Sequence, residues 1–159
     1  MLRVFLASHA HLASGMASSY RLLAGAAENL VTYDAYVEDA PSTAAGDGAV
    51  AGSAACAQTL AEALDEFYDS VVESGDEVLL LSDVYGGSVN TQMCAYLDHP
   101  NTRLVTGINL AFLLEILSVG SQGITDSRLS EIVEQSRQVL MQVRLDEVPA
   151  SSSLEDDFF

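Results

Sequence analysis

Two short stretches of this chain end an apolar run in groups able to do chemistry. Val4-Phe5-Leu6-Ala7 runs straight into Ser8 and His9, with His11 just beyond. Val78-Leu79-Leu80-Leu81-Ser82 delivers Asp83 and then the turn-forming Gly86-Gly87-Ser88. A histidine beside a carboxylate suits nucleophilic chemistry. The carboxylate accepts a hydrogen bond from one ring nitrogen, fixes the tautomer, leaves the other lone pair free to attack, and stabilises the ring once it is cationic. A reference pKa of about 6.5 leaves much of an imidazole neutral near pH 7. Phosphoryl transfer needs little beyond positioning and charge stabilisation, which hydroxyls and backbone N–H groups at a helix start or glycine turn supply. His9 is therefore the candidate nucleophile and Asp83 its orienting carboxylate. Ser8, Gly86, Gly87 and Ser88 are the candidate phosphoryl-binding groups.

Each of these residues also has a plainer reading. Asp83 alone is a common turn former or helix cap, and the glycines fit a turn as well as a phosphate cradle. Only the geometry at the strand ends separates the two. His-x-His at positions 9 and 11 invites a metal reading, as in amidohydrolases or small chelatases. Amidohydrolase barrels need roughly 250 residues, far more than this chain's 159. His11 is read instead as a solvated rim residue, His99 beside Pro100 as a loop residue, and no metal or cofactor is assigned. Asn109 reads as a helix cap.

The elements that must position these groups alternate along the chain. Apolar positions Leu12, Met16, Tyr20 and Leu23 predict a first helix stopped by Gly25. Leu30 to Tyr36 has a β-favouring composition. Asp39 to Gly52, with Pro41 and three glycines, reads as a loop. From about Ala54, Leu60, Leu64, Phe67 and Val71 share one helical face while acidic residues cover the other, and Ser74-Gly75-Asp76 ends it. Glu77 to Ser82 is the next strand. Ser88 then caps a helix with Val89, Met93, Tyr96 and Leu97 inward, ending near His99-Pro100. Arg103 to Thr106 is a fourth strand, followed by a helix over Leu110, Leu113, Leu114 and Leu117 stopped by Gly120. A last helix carries Leu129, Ile132, Val133, Ser136 and Leu140. Val139 to Leu145 fits either a continuation of that helix or an edge strand beginning near Met141.

Strands alternating with helices imply parallel pairing, hence an α/β fold with a three-layer α/β/α open sheet of four or five strands. In the flavodoxin-like order 2-1-3-4, strands 1 and 3 are neighbours. Their carboxyl ends form the switch-point crevice where ligands bind. Those ends carry His9 and Asp83.

Composition narrows the partners. At 159 residues and 49% hydrophobic, the chain is long enough for one domain with one sizeable core. A net charge of -17 with only 6 Lys and Arg argues against nucleic acid or an anionic membrane as the main partner. Cys56 and Cys94 match no disulfide framework or zinc pattern. No segment approaches the roughly 20 apolar residues of a membrane span. A cytoplasmic domain over residues 1–145, followed by an acidic, flexible tail over 146–159, is the expectation.

Three segments taken together resemble a known family. Phe5-Leu6-Ala7-Ser8-His9-Ala10-His11-Leu12-Ala13-Ser14-Gly15-Met16, Leu80-Leu81-Ser82-Asp83-Val84-Tyr85-Gly86-Gly87-Ser88-Val89-Asn90 and Thr106-Gly107-Ile108-Asn109-Leu110 occur in order. They look like the enzyme IIA domain of the mannose-type sugar phosphotransferase system, over roughly Met1 to Leu140. The resemblance implies a phosphocarrier that accepts a phosphoryl group from the phosphocarrier protein HPr on His9. It passes the group to a IIB component, which phosphorylates a sugar entering through membrane IIC and IID components. It also implies that Asp83 orients His9, that Gly86-Gly87-Ser88 helps bind the phosphoryl group, and that the domain is a homodimer able to exchange its final strand. The family usually carries Gly where this chain has Ala10. The usual fusion to IIB is missing, so a separate IIB protein is expected. A regulatory or binding module of the same fold without transfer activity, or a His-x-His metal-binding protein, would be the alternatives.

Overall fold

Apolar residues on both of its faces place the first strand at the centre of a sheet. The computed structural model describes residues 1–37, 58–72, 75–120 and 123–144. The elements are β1 (Leu2–His9), α1 (Leu12–Ala24), β2 (Leu30–Ala35), α2 (Leu60–Val72), β3 (Glu77–Ser82), α3 (Ser88–Cys94), β4 (Thr102–Thr106), α4 (Leu110–Ser118) and α5 (Asp126–Gln138). The four strands pair in parallel in the order β2-β1-β3-β4, the arrangement expected from the alternation. Register puts Ala7 opposite Ser82 and His9 opposite Ala35, so the strands carrying His9 and Asp83 finish side by side.

Alternation along β1 and β3 sorts the core into two layers of side chains. Leu2, Val4, Leu6, Leu79 and Leu81 pack with α1, α4 and α5 through Met16, Phe112, Leu113, Ile116 and Ile132. Phe5, Ala7, Val78 and Leu80 face α2 and α3 through Leu64, Phe67, Val89 and Met93. Helices on both faces make the three layers. Full burial of one such Leu or Phe contributes about 1.5–3 kcal/mol. On α2, Leu60, Leu64, Phe67 and Val71 form the buried face, as their spacing predicts.

Several details differ from the sequence reading. The buried side of α1 is Ala13, Met16, Ala17 and Tyr20, while Leu12 and Leu23 are exposed. Small alanines let the helix approach the sheet, and the flanking leucines lie at the edge of that contact. The helix after β3 is shorter than expected, ending at Cys94, and Leu97 is exposed. Its N-cap is Gly87 rather than Ser88, which is the first helical residue. Leu140 is also exposed. Met141 to Arg144 joins no strand, so the sheet has four strands among the described residues. The loop over 39–52, Cys56 and the tail over 146–159 lie outside the described residues.

Caps and ion pairs tie the helices down at the two ends of the sheet. Asn109 accepts from the Phe112 backbone N–H at 2.8 Å, capping α4 as its position suggests, and its amide donates to the Ser136 carbonyl at 2.7 Å. Thr125 caps α5 by accepting from Arg128. At the opposite end from His9, Arg103 bridges Glu77 and Asp126, and Glu77 also accepts from the Ile124 backbone N–H.

Candidate functional site

β1 and β3 deliver His9 and Asp83 to one point. A single carboxylate oxygen of Asp83, Oδ2, accepts from the His9 backbone N–H at 3.0 Å and lies 2.9 Å from ring Nδ1. An ionised carboxylate can only accept, so Nδ1 carries the proton and Nε2 keeps its lone pair. The other oxygen, Oδ1, accepts from the Val84 backbone N–H at 2.9 Å. Burial by itself would raise the Asp83 carboxyl. The hydrogen bonds from the His9 backbone and ring, together with the attraction of the ring's charge, outweigh it and hold the group below its ordinary value. Asp83 is thus a carboxylate at neutral pH. Its side chain is only 8% exposed, whereas that of His9 is 40% exposed, so the ring is open to an incoming molecule.

Nε2 faces the start of α3. It lies 3.2 Å from Ser88 Oγ, a hydroxyl that in turn accepts from Tyr36 Oη at 2.9 Å. The Tyr36 ring stacks on the imidazole with centroids 5.6 Å apart and planes 25° from parallel. Gly87 makes the close approach of ring and turn feasible. A Cβ there would stand 3.3 Å from His9 Cε1 and 3.2 Å from the Val84 carbonyl oxygen. Gly86 occupies φ +73°, a left-handed conformation open to glycine.

The predicted groups therefore separate by position. His9, Asp83, Gly87 and Ser88 converge. The Gly86 backbone N–H is taken by Asn90 Oδ1 at 3.0 Å, and that of Gly87 by the Val84 carbonyl at 3.1 Å. Their part is to shape the turn. Ser8 sits apart, fully buried, with its hydroxyl accepting from the Ala13 backbone N–H at 2.7 Å and thereby anchoring the start of α1. His11 is mostly solvated and pairs through Nδ1 with Asp34 Oδ2 at 3.2 Å, while Asp34 Oδ1 accepts from the Ser14 backbone N–H. The two histidines thus bind different carboxylates. Among the described residues no group of three or more His, Cys, Asp or Glu is arranged to hold a metal ion.

Tyr36, Asn90 and Asp34 were not among the groups singled out from the sequence. Asn90 is buried and joins Gly86 to Ser82 Oγ, holding the glycine turn against the end of β3. Asp34 stands at the carboxyl end of β2, so the strand-end rule that selected His9 and Asp83 extends to it. Tyr36 reaches the site only because its backbone turns left-handed, at φ +61°.

Comparison with known families places the chain by its sequence as a whole. The model of the mannose-type IIA family, described as PTS system fructose IIA component, matches residues 3–135. The chain belongs to this family. Membership makes it a phosphotransfer component of sugar uptake that works with phosphocarrier and IIB proteins. No curated protein matches the chain. Among solved structures it is similar to the PTS IIA protein associated with the fucose utilization operon of Streptococcus pneumoniae. That match has 24% identity and a TM-score of 0.62, covering 89% of this chain and 92% of the other. It is also similar to the mannose/sorbose specific IIA subunit of Enterococcus faecalis, with 21% identity, a TM-score of 0.60 and coverage of 90% and 95%. A IIA component from Streptococcus agalactiae matches at 19% identity and a TM-score of 0.59, covering 89% and 97%. At these identities the structures speak for the fold, which is that of IIA proteins. Among the described residues no helix is long and apolar enough to cross a membrane.

Proposed function

We propose that this chain takes a phosphoryl group from phospho-HPr onto His9 Nε2 and hands it to a histidine of a IIB component. IIB then phosphorylates a sugar entering through the membrane IIC and IID components. The observation carrying this reading is that Asp83 Oδ2 holds the backbone nitrogen and ring Nδ1 of His9, at 3.0 and 2.9 Å, and leaves Nε2 as the unprotonated nucleophile. In the forward step the Nε2 lone pair forms a new N–P bond while the N–P bond of the donor breaks. The breaking bond's electron pair returns to the donor ring. The His9 ring becomes cationic, and Asp83 faces that charge.

Ser88 is the phosphoryl-binding hydroxyl in this reading. Once released from Nε2 it can donate to a phosphoryl oxygen, and Gly86 and Gly87 keep the turn close enough for it to do so. Ser8 contributes by fixing α1 behind the nucleophile. A net charge of -17 favours partners that dock with a basic face. The same reading makes the domain a cytoplasmic homodimer. Val139, Leu140, Met141 and Val143 all stand exposed, and a second copy would cover them.

The test is incubation with phosphoenolpyruvate, enzyme I and HPr. The expected result is one acid-labile phosphoryl group per chain, absent from a folded His9→Ala variant. No label in the presence of active upstream proteins would contradict the proposal and leave a regulatory or binding module of the same fold.

A further inference from the structure

Tyr36 spends conformational energy without burying itself. A non-glycine residue in the left-handed region costs roughly 1–2 kcal/mol, and Tyr36 sits there at φ +61°. The residue remains 65% exposed, so core packing does not offset that cost. Strain of this kind, held at the end of a strand beside a reactive group, points to a role at the site. What the conformation achieves is specific: the ring lies over the His9 imidazole at 5.6 Å, and the hydroxyl reaches Ser88 Oγ at 2.9 Å.

Those two contacts define a chain of hydrogen bonds ending on the attacking nitrogen. Nδ1 of His9 carries its proton toward Asp83, so Nε2 can only accept, and the Ser88 hydroxyl must donate to it across 3.2 Å. With its proton committed there, Ser88 Oγ accepts from Tyr36. Tyr36 thereby sets where the serine hydroxyl points. A phosphoryl group arriving at Nε2 would displace the serine proton from the lone pair, and the serine and tyrosine hydroxyls would both lie beside the new phosphoryl oxygens.

We propose that Tyr36 is a positioning residue for phosphoryl transfer at His9. Acting through Ser88 Oγ, its hydroxyl orients the donor to the phosphoryl group, and its ring shields one face of the phosphohistidine from water. This rests on the phosphocarrier reading. Tyr36 then sets the ratio between productive transfer and hydrolysis. In hydrolysis a water oxygen bonds to phosphorus, the N–P bond breaks with its electron pair returning to Nε2, and the water's protons are shared between phosphate and solvent.

The experiment compares wild type, Tyr36→Phe and Tyr36→Ala by three readouts. These are imidazole nitrogen resonances of the unphosphorylated protein, the rate of transfer from phospho-HPr, and the half-life of the isolated phosphoprotein. Tyr36→Phe keeps the ring and removes the hydroxyl. It should shift the His9 Nε2 resonance, slow transfer and shorten the half-life by about two- to tenfold, the size of one neutral hydrogen bond, with melting unchanged. Tyr36→Ala should shorten the half-life further. A Tyr36→Phe variant equal to wild type in all three readouts overturns the proposal, even if Tyr36→Ala is impaired, because the hydroxyl would then have no part. If wild type accepts no phosphoryl group, the phosphocarrier reading fails by itself. The nitrogen resonances still report whether Tyr36 governs the Ser88 contact with Nε2, and an unshifted Nε2 resonance in Tyr36→Phe overturns it.

Discussion

Replacing Asp83 by alanine removes the carboxylate that pairs with His9. Three hydrogen bonds disappear, from the His9 backbone N–H at 3.0 Å, the His9 ring at 2.9 Å and the Val84 backbone N–H at 2.9 Å. The ring bond bears on rate, because it strengthens as the imidazole becomes cationic during transfer. A hydrogen bond to a charged group contributes about 1.5–3 kcal/mol. At roughly 1.36 kcal/mol per factor of ten, its loss predicts transfer about 10- to 150-fold slower. The backbone bonds bear on stability. The Val84 N–H is exposed and can turn to water, whereas the part-buried His9 N–H left unpaired costs about 1 kcal/mol, which lowers the melting temperature of a domain of this size by roughly 2–4 °C. Rapid-quench single turnovers with labelled phospho-HPr, run well below the melting temperature, separate the two effects. Asp83→Asn sharpens the comparison: its one carbonyl oxygen can still accept from the His9 backbone N–H while its amide nitrogen faces the Val84 N–H and the charge is gone, so it should recover part of the stability and remain slow. An Asp83→Ala rate within twofold of wild type at saturating phospho-HPr would refute the reasoning.

Three further outcomes follow from the same geometry. Gly87→Ala places a methyl group 3.3 Å from His9 Cε1, so the ring must shift. Single-turnover transfer should slow roughly tenfold or more, since small misplacements at a reacting centre are costly, and an unchanged rate would show that the ring has room. Ala10 adopts φ +49°. Ala10→Gly should therefore relieve strain of about 1 kcal/mol and raise the calorimetric melting temperature by roughly 2–4 °C; a lower value would contradict this. Asp83, whose carboxyl is held below its ordinary value in the folded chain, makes stability depend on pH. Its contribution is complete above the unfolded carboxylate value of about 3.9 and is lost as pH falls through the lower folded value. Urea unfolding across the acid range should show a shallower loss in Asp83→Asn than in wild type, and parallel curves would remove Asp83 from the linkage.

The strand ends were legible because an apolar run that stops at a polar residue is a strong signal in a parallel sheet. The rule that ligands bind where strand order reverses then brought His9 to Asp83 across 74 positions. Fine features of the site were not legible, for physical reasons. Tyr36 enters through a backbone conformation that tyrosine rarely adopts. Ser88 looks like a cap by type, yet Gly87 already supplies the extended cap conformation, which frees the serine hydroxyl to face Nε2. Ser8 looks available at a strand end, but its hydroxyl points into the start of α1. On α1 the alternation of small and large residues hid the buried side, since alanine contributes little to a hydrophobic pattern while permitting the closest packing. The edge strand that Met141 onward could form has the alternation of one, Met-Gln-Val-Arg, but pairs with no edge of the sheet over residues 141–144.

Asp83 keeping the proton on Nδ1 requires the new bond to form at Nε2 of His9. Nitrogen and phosphorus NMR of the protein phosphorylated through HPr tests it directly. The account predicts a phosphorus coupling to Nε2 of His9, with Nδ1 still protonated and no label on His11 or His99. Phosphorus bonded to Nδ1 of His9, or to either other histidine, would contradict it.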